Sequence, residues 1–211
     1  MIIVGKMASG KSTLAKFFCN HGYKEYAFAD NLKSIVNLVG YNMQGAIEML
    51  YKLAPYKNVS MLVPLLENTQ AIQDSPHNRL RLQYFGQAVR DVYPNYWIDS
   101  LRQKIEKEKP PYYVISDCRY KNEFDAFRET NLTLFLDVPD EVRKKRLVDR
   151  DGSYDIKYFN HPSETELEGL KDLCDIVIPQ DYYTELRDEI MKGIKMSGSE
   201  QAYLSEFTKY E

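Results

Sequence analysis

Gly5-Lys6-Met7-Ala8-Ser9-Gly10-Lys11-Ser12 is the stretch that decides the fold. It fills every fixed position of G-x-x-x-x-G-K-[ST], and its surroundings are those the motif requires. The apolar run 1–4 precedes it as a strand. Leu14, Phe17 and Phe18 follow at helical spacing, so a helix opens at the Gly10-Lys11 turn. Gly5 and Gly10 permit backbone angles that turn successive N–H groups toward one point. The helix adds its free N-terminal N–H groups and the positive end of its dipole. The segment is therefore predicted to cradle the phosphates of ATP through Gly5, Ala8, Ser9, Gly10, Lys11, Ser12 and Thr13. Lys11 brings a full charge to the β- and γ-phosphates, and the Ser12 hydroxyl is a ligand for Mg²⁺.

Outward from the loop, the chain alternates short apolar runs with helical patterns. Runs 1–4, 25–29, 112–116, 132–137 and 175–178 are nearly continuous in apolar character, as parallel strands covered on both faces are. The expected fold is α/β, a doubly wound parallel five-stranded sheet. Residues 1–30 and 111–192 form its core in one domain of 211 residues. The interval 31–110 breaks the rhythm and holds no convincing strand; 31–53 and 80–107 look helical. It reads as a helical insertion on the acceptor-substrate side, with a short lid at about 141–165.

Composition narrows the function. The net charge of -3, with 28% charged residues, argues against a nucleic-acid polymer as partner. Cys19, Cys118 and Cys174 have no metal-ligand spacing, and His21, His77 and His161 are far apart, so zinc is not expected. No run of 18 uncharged apolar residues is present, and the N-terminus lacks a signal-peptide pattern. A cytoplasmic protein without a membrane partner is the expectation. Seventeen tyrosines suit either a homodimer interface or a base pocket.

The run 112–116 leads into Asp117, a carboxylate placed to support Mg²⁺ beside Ser12. Arg119 and Glu123 follow, beyond the carboxyl end of that strand, where α/β sheets hold ligands. The segment Glu141-Val142-Arg143-Lys144-Lys145-Arg146-Leu147-Val148-Asp149-Arg150 is the lid candidate. Arg143, Arg146 and Arg150 share one helical face, and a basic segment of this kind neutralises a moving phosphoryl group. N-K-x-D is absent, and no D-x-x-G directly follows the strand that ends at Asp117, which argues against a GTPase and leaves a small kinase.

Several further blocks resemble the nucleoside monophosphate kinases, most closely the deoxynucleoside monophosphate kinases of tailed bacteriophages. They are Phe28-Ala29-Asp30-Asn31-Leu32-Lys33, then Leu82-Gln83-Tyr84-Phe85-Gly86-Gln87-Ala88-Val89-Arg90 with Trp97 beyond it. Ile115-Ser116-Asp117-Cys118-Arg119-Tyr120-Lys121-Asn122-Glu123 and His161-Pro162-Ser163-Glu164 complete the set. The resemblance implies transfer of the ATP γ-phosphate to a deoxynucleoside 5′-monophosphate, with Mg²⁺, for dNTP supply in the host cytoplasm. It implies Arg90 as the clamp on the acceptor phosphate, with Lys33 and Arg119 beside it. Asp30 resembles the carboxylate that dephospho-coenzyme A kinases use as a base on a hydroxyl, so a hydroxyl acceptor is the alternative. A regulatory ATPase without kinase activity is the remaining one.

Overall fold

The computed structural model describes residues 1–53, 59–72, 79–152 and 162–179. Five strands, β1 (Ile2–Gly5), β2 (Lys24–Tyr26), β3 (Tyr113–Cys118), β4 (Thr133–Asp137) and β5 (Ile176–Pro179), form one sheet. Its order is β2-β3-β1-β4-β5 and every pairing is parallel. The phosphate-loop strand β1 is thus central, with β3 and β4 on its flanks. All five strands fall on the runs expected to form them.

Alternation along β1 sends side chains to both faces. Ile3 joins Leu14, Ala15 and Phe17 of α1 (Lys11–Asn20) and Leu134 and Leu136 of β4 in one apolar cluster. Ile2 and Val4 join Ile115 in a larger cluster on the opposite face. That second cluster continues without a break into the insertion, through Leu32, Ile35, Leu50, Phe85 and Trp97. The insertion consists of α2 (Ala29–Val39), α3 (Met43–Leu53), α4 (Val63–Ala71), α5 (Arg79–Val92) and α6 (Tyr96–Glu108), with a 3-10 turn at Val59–Leu62. It shares the core of the sheet, and so its side chains are held in fixed relation to the carboxyl edge of the strands.

The two long helical stretches are each divided. Asn42 ends the first, and its side chain accepts the Gly45 N–H at 2.9 Å to start α3. Pro94 lies between α5 and α6, where its missing N–H and fixed φ break a helix. The second strand is also shorter than its apolar run, because α2 already begins at Ala29. Beyond β3, α7 (Lys121–Asp125) is followed by β4, α8 (Asp140–Asp151), the short α9 (Pro162–Thr165) and a 3-10 segment Glu166–Leu173. The part of the expected lid at 153–161, and the chain beyond 179, lie outside the described residues.

Candidate active site

The loop between β1 and α1 has the backbone that its glycines predict. Gly10 has φ +104° and Gly5 φ +153°. A Cβ on Gly5 would stand 2.8 Å from Ser9 Oγ and 3.1 Å from the Leu136 carbonyl oxygen, so no larger residue fits there. Ala8 also has a positive φ, +61°, which only the loop's closure imposes on a residue with a side chain. Ser9 is fully buried and its hydroxyl makes no hydrogen bond. An anion inside the loop would satisfy it.

Lys11 spans the loop from the first turn of α1. Its Nζ donates to the carbonyls of Gly5 at 2.5 Å and Lys6 at 2.8 Å. Burial, and then the nearby positive charge of Arg119, lower its pKa to about 7, against the opposing pull of Glu164 and Asp117. A phosphate beside this ammonium would favour its charged form. Ser12 and Thr13 are exposed at the helix start, with their hydroxyls open to a ligand.

Two arginines of α8 support the loop from behind. Arg143 is buried and donates to the Met7 carbonyl at 3.2 Å and to Asp140 at 2.5 Å. Arg146 donates to the carbonyls of Ala8 and Ser9 at 3.1 and 3.2 Å. Arg150, one turn further on, is instead held in a two-point pair by Asp151 at 2.7 Å and is well exposed. The expected basic face therefore places two of its three arginines on the loop.

Beside β1, the end of β3 brings a second group of charges to the same edge. Both oxygens of Asp117 accept backbone N–H groups at the start of α2, from Phe28 at 2.7 Å and Ala29 at 3.0 Å. Burial raises its pKa while these two bonds oppose the rise. Glu123 is buried; one oxygen pairs with Arg90 at 2.8 Å and the other accepts the Arg119 N–H at 3.0 Å. Burial pushes the Glu123 carboxyl up, and Arg90 pulls it back. Arg90 comes from α5, with its guanidinium 4.2 Å above the centre of the Tyr120 ring. The Gly86 carbonyl accepts from both Arg90 at 3.1 Å and Trp97 at 3.2 Å, which fixes the base of that side chain. Glu164, from α9, pairs with Arg119.

Asp30 stands in the first turn of α2, 41% exposed, with Lys104 at 3.4 Å. Lys33, one turn along, is exposed and close enough to help lower the Asp117 pKa. Lys11, Arg143 and Arg146 engage carbonyls of the loop, and Arg119 is tied to it through Glu164. Arg90, Lys33 and Asp30 lie on the insertion helices, with Arg90 joined to the turn after β3 by Glu123.

A protein-family model described as an AAA domain matches residues 1–168. The chain belongs to this family. Among solved structures, a protein of Thermus thermophilus, TT1252, superposes on this AAA domain with a TM-score of 0.54. The identity is 19%, over 93% of this chain and 97% of that one, a likeness of fold alone. A dephospho-CoA kinase from Campylobacter jejuni gives 0.43 at 16% identity, covering 92% of this chain and 94% of its own. An uncharacterised protein of Eubacterium ventriosum gives 0.39 at 13%, covering 91% and 97%. No curated protein matches the chain.

This AAA domain is a P-loop nucleotide-binding domain of kinase-like build, and P-loop domains act on ATP with Mg²⁺. The residues present suit the ion unequally. Ser12 offers an accessible hydroxyl. Asp117 has already committed both oxygens to backbone N–H groups, so it is suited to hold a water of the ion's shell rather than the ion itself. No helix among the described residues is long and apolar enough to cross a membrane. Sequence reading attached no role to Glu164, although it noted the block that contains it; its partners lie in distant segments.

Proposed function

We propose that the protein transfers the γ-phosphate of ATP to a deoxynucleoside 5′-monophosphate, giving ADP and the deoxynucleoside diphosphate. The observation that carries this reading is the placement of Arg90. A helix of the insertion holds this guanidinium against Glu123, whose other oxygen accepts the backbone N–H of Arg119 just beyond β3. With Arg119 tied to the phosphate loop through Glu164, a pair of arginines at this edge suits an acceptor that is itself a phosphate, since each guanidinium can meet phosphate oxygens in a fork.

In the reaction, an oxygen of the acceptor phosphate attacks the γ-phosphorus in line. The bond from that phosphorus to the β–γ bridging oxygen breaks, and the electron pair leaves with ADP. The acceptor is already anionic and needs no base. The protein's work is therefore alignment and neutralisation of charge by Lys11, Arg90, Arg119, Arg143 and Arg146. Ser12 would hold Mg²⁺ when the ion is bound, and the ion would supply further neutralisation of phosphate charge.

One observation favours a second reading. Asp30 is accessible and unburdened by any backbone hydrogen bond of its carboxylate among those described, so it is able to take a proton from a hydroxyl acceptor. ADP release measured with Mg-ATP and each of dAMP, dGMP, dCMP, dTMP and dephospho-coenzyme A separates the readings. Turnover with one or more deoxynucleotides is expected. Turnover with dephospho-coenzyme A alone would replace the first reading by the second, and ADP release independent of any acceptor would make the protein an ATPase.

A further inference from the structure

Glu164 is a carboxylate buried inside the phosphate site. Its side chain is 3% exposed. One oxygen, Oε2, accepts the Met7 N–H of the phosphate loop at 2.6 Å, and the other, Oε1, pairs with Nη1 of Arg119. We propose that Glu164 is a positioning residue for phosphoryl transfer, locking the Arg119 guanidinium to the phosphate loop where the donor and acceptor halves of the site meet.

The proposal rests on the phosphotransferase reading and adds to it the residue that joins the two halves. A carboxylate withdrawn from water is costly unless its oxygens are engaged, and both oxygens of Glu164 are engaged by parts of the site. Arg119 is itself 34% exposed on a long side chain, so without a partner it would sample many rotamers. Pairing at Nη1 restricts the guanidinium while Glu164 leaves its remaining N–H donors unengaged. A donor already oriented toward the developing charge stabilises the transition state without reorganising. The same segment grips the loop a second time, since Glu168 pairs with Lys6 at 2.6 Å. That pair lies outside the cation cluster, and Glu168 is 73% exposed. Glu164 also opposes the effect of Arg119 on Lys11, so the pair balances charge at the loop's own lysine.

Steady-state kinetics and ATP calorimetry on the wild type, Glu164→Gln, Glu164→Asp, Arg119→Lys, the double variant Arg119→Lys with Glu164→Gln, and Glu168→Gln provide the test. Gln keeps an oxygen for the Met7 N–H but withdraws the charge from Arg119. Its kcat is expected to fall by about tenfold or more, with the KM and Kd for ATP changed by less than about threefold. The double variant should lose little beyond the worse single variant, because both break one pairing. Asp, which keeps the charge one methylene short, should recover part of the loss. Glu168→Gln should stay within about twofold of wild type, as an exposed pair contributes little. Tighter ATP binding with a raised kcat/KM in Glu164→Gln would make Glu164 a competing internal anion and overturn the proposal. So would multiplicative losses in the double variant, or lowered thermal stability with unchanged kinetics. The ratios are read on whichever acceptor the protein uses, or on ATP hydrolysis. Absence of turnover with deoxynucleotides would therefore count against the proposed substrate and leave the Glu164 result readable.

Discussion

The Arg90 guanidinium lies 2.8 Å from Glu123, and the same carboxylate accepts the Arg119 N–H at 3.0 Å. One buried acidic group thus joins a helix of the insertion to the turn after β3. Under the proposed function, this link is what orients the acceptor side from the core of the protein. Arg90 is 17% exposed, so the pair is largely shielded from solvent and its loss is not screened away.

Glu123→Gln should consequently act on the acceptor. The side chain keeps its volume, but Arg90 loses its counter-charge and the N–H groups of Arg119 and Tyr120 exchange a charged acceptor for a neutral one. Breaking one side of a buried pair costs about 3–5 kcal/mol, part of it in stability. Acceptor saturation curves should show KM raised about tenfold, with the KM for ATP nearly unchanged. Equal effects on both substrates would mean that the pair holds the fold together and does not orient Arg90.

Lys11 gives a pH dependence with a definite sign. Its pKa is lowered to about 7 by burial and Arg119, whereas an unfolded chain returns it to about 10.4. Between those values the unfolded state binds more protons, so this residue makes the nucleotide-free protein more stable as pH rises through the window. Lys11→Met removes that dependence. The stability of wild type minus that of the variant should climb by up to about 1.4 kcal/mol per pH unit, by denaturant unfolding at a series of pH values. A difference that stays flat from neutral to alkaline pH would show that the ammonium is not desolvated. Turnover in Lys11→Ala should fall on the order of a hundredfold, since a preorganised charge is lost.

The loop and its strand were legible because their residues answer to local constraints. Gly5, Gly10, Lys11 and Ser12 are required by the turn and by the phosphate, whatever lies around them. The start of α2 was not legible, because its free N–H groups are satisfied by Asp117, 88 residues from Ala29 along the chain. Nothing near Phe28 signals that partner, and the apolar run reads on as strand. The same carboxylate looked like a ligand of Mg²⁺ from its place at the end of β3. The structure shows it also serving as the cap of α2. Glu164 was hidden for a related reason: a lone Glu in a polar segment carries no local mark of burial, and its partners Met7 and Arg119 are distant in sequence.

Helical spacing put Arg143, Arg146 and Arg150 on one face, but reach along the helix axis separates them. Arg146 supports the carbonyls of Ala8 and Ser9, and removing it should let the loop relax. Arg150 is bound by its neighbour Asp151 and is exposed. Arg146→Ala should therefore cut kcat/KM for ATP by about tenfold or more, while Arg150→Ala should stay within about threefold. A larger loss in Arg150→Ala would mean that the Asp151 pair opens during turnover and the side chain reaches the phosphates.

Asp30 decides between the two acceptors by what its removal does. Its carboxylate is 41% exposed, with Lys104 as an outer partner at 3.4 Å. A phosphate acceptor arrives without a proton to lose. Asp30→Asn should then keep most of kcat and alter the acceptor KM by less than about tenfold, through changed charge beside the substrate. A hydroxyl acceptor requires its proton to be taken as the new bond forms, and loss of the base costs about 10²–10⁴ in kcat. Those two outcomes are far enough apart for a single-turnover assay at saturating ATP to separate them. The pH profile provides the second reading. With a phosphate acceptor the rate should show no acidic limb that vanishes in Asp30→Asn. A limb that does vanish would assign Asp30 as the base and the acceptor as an alcohol.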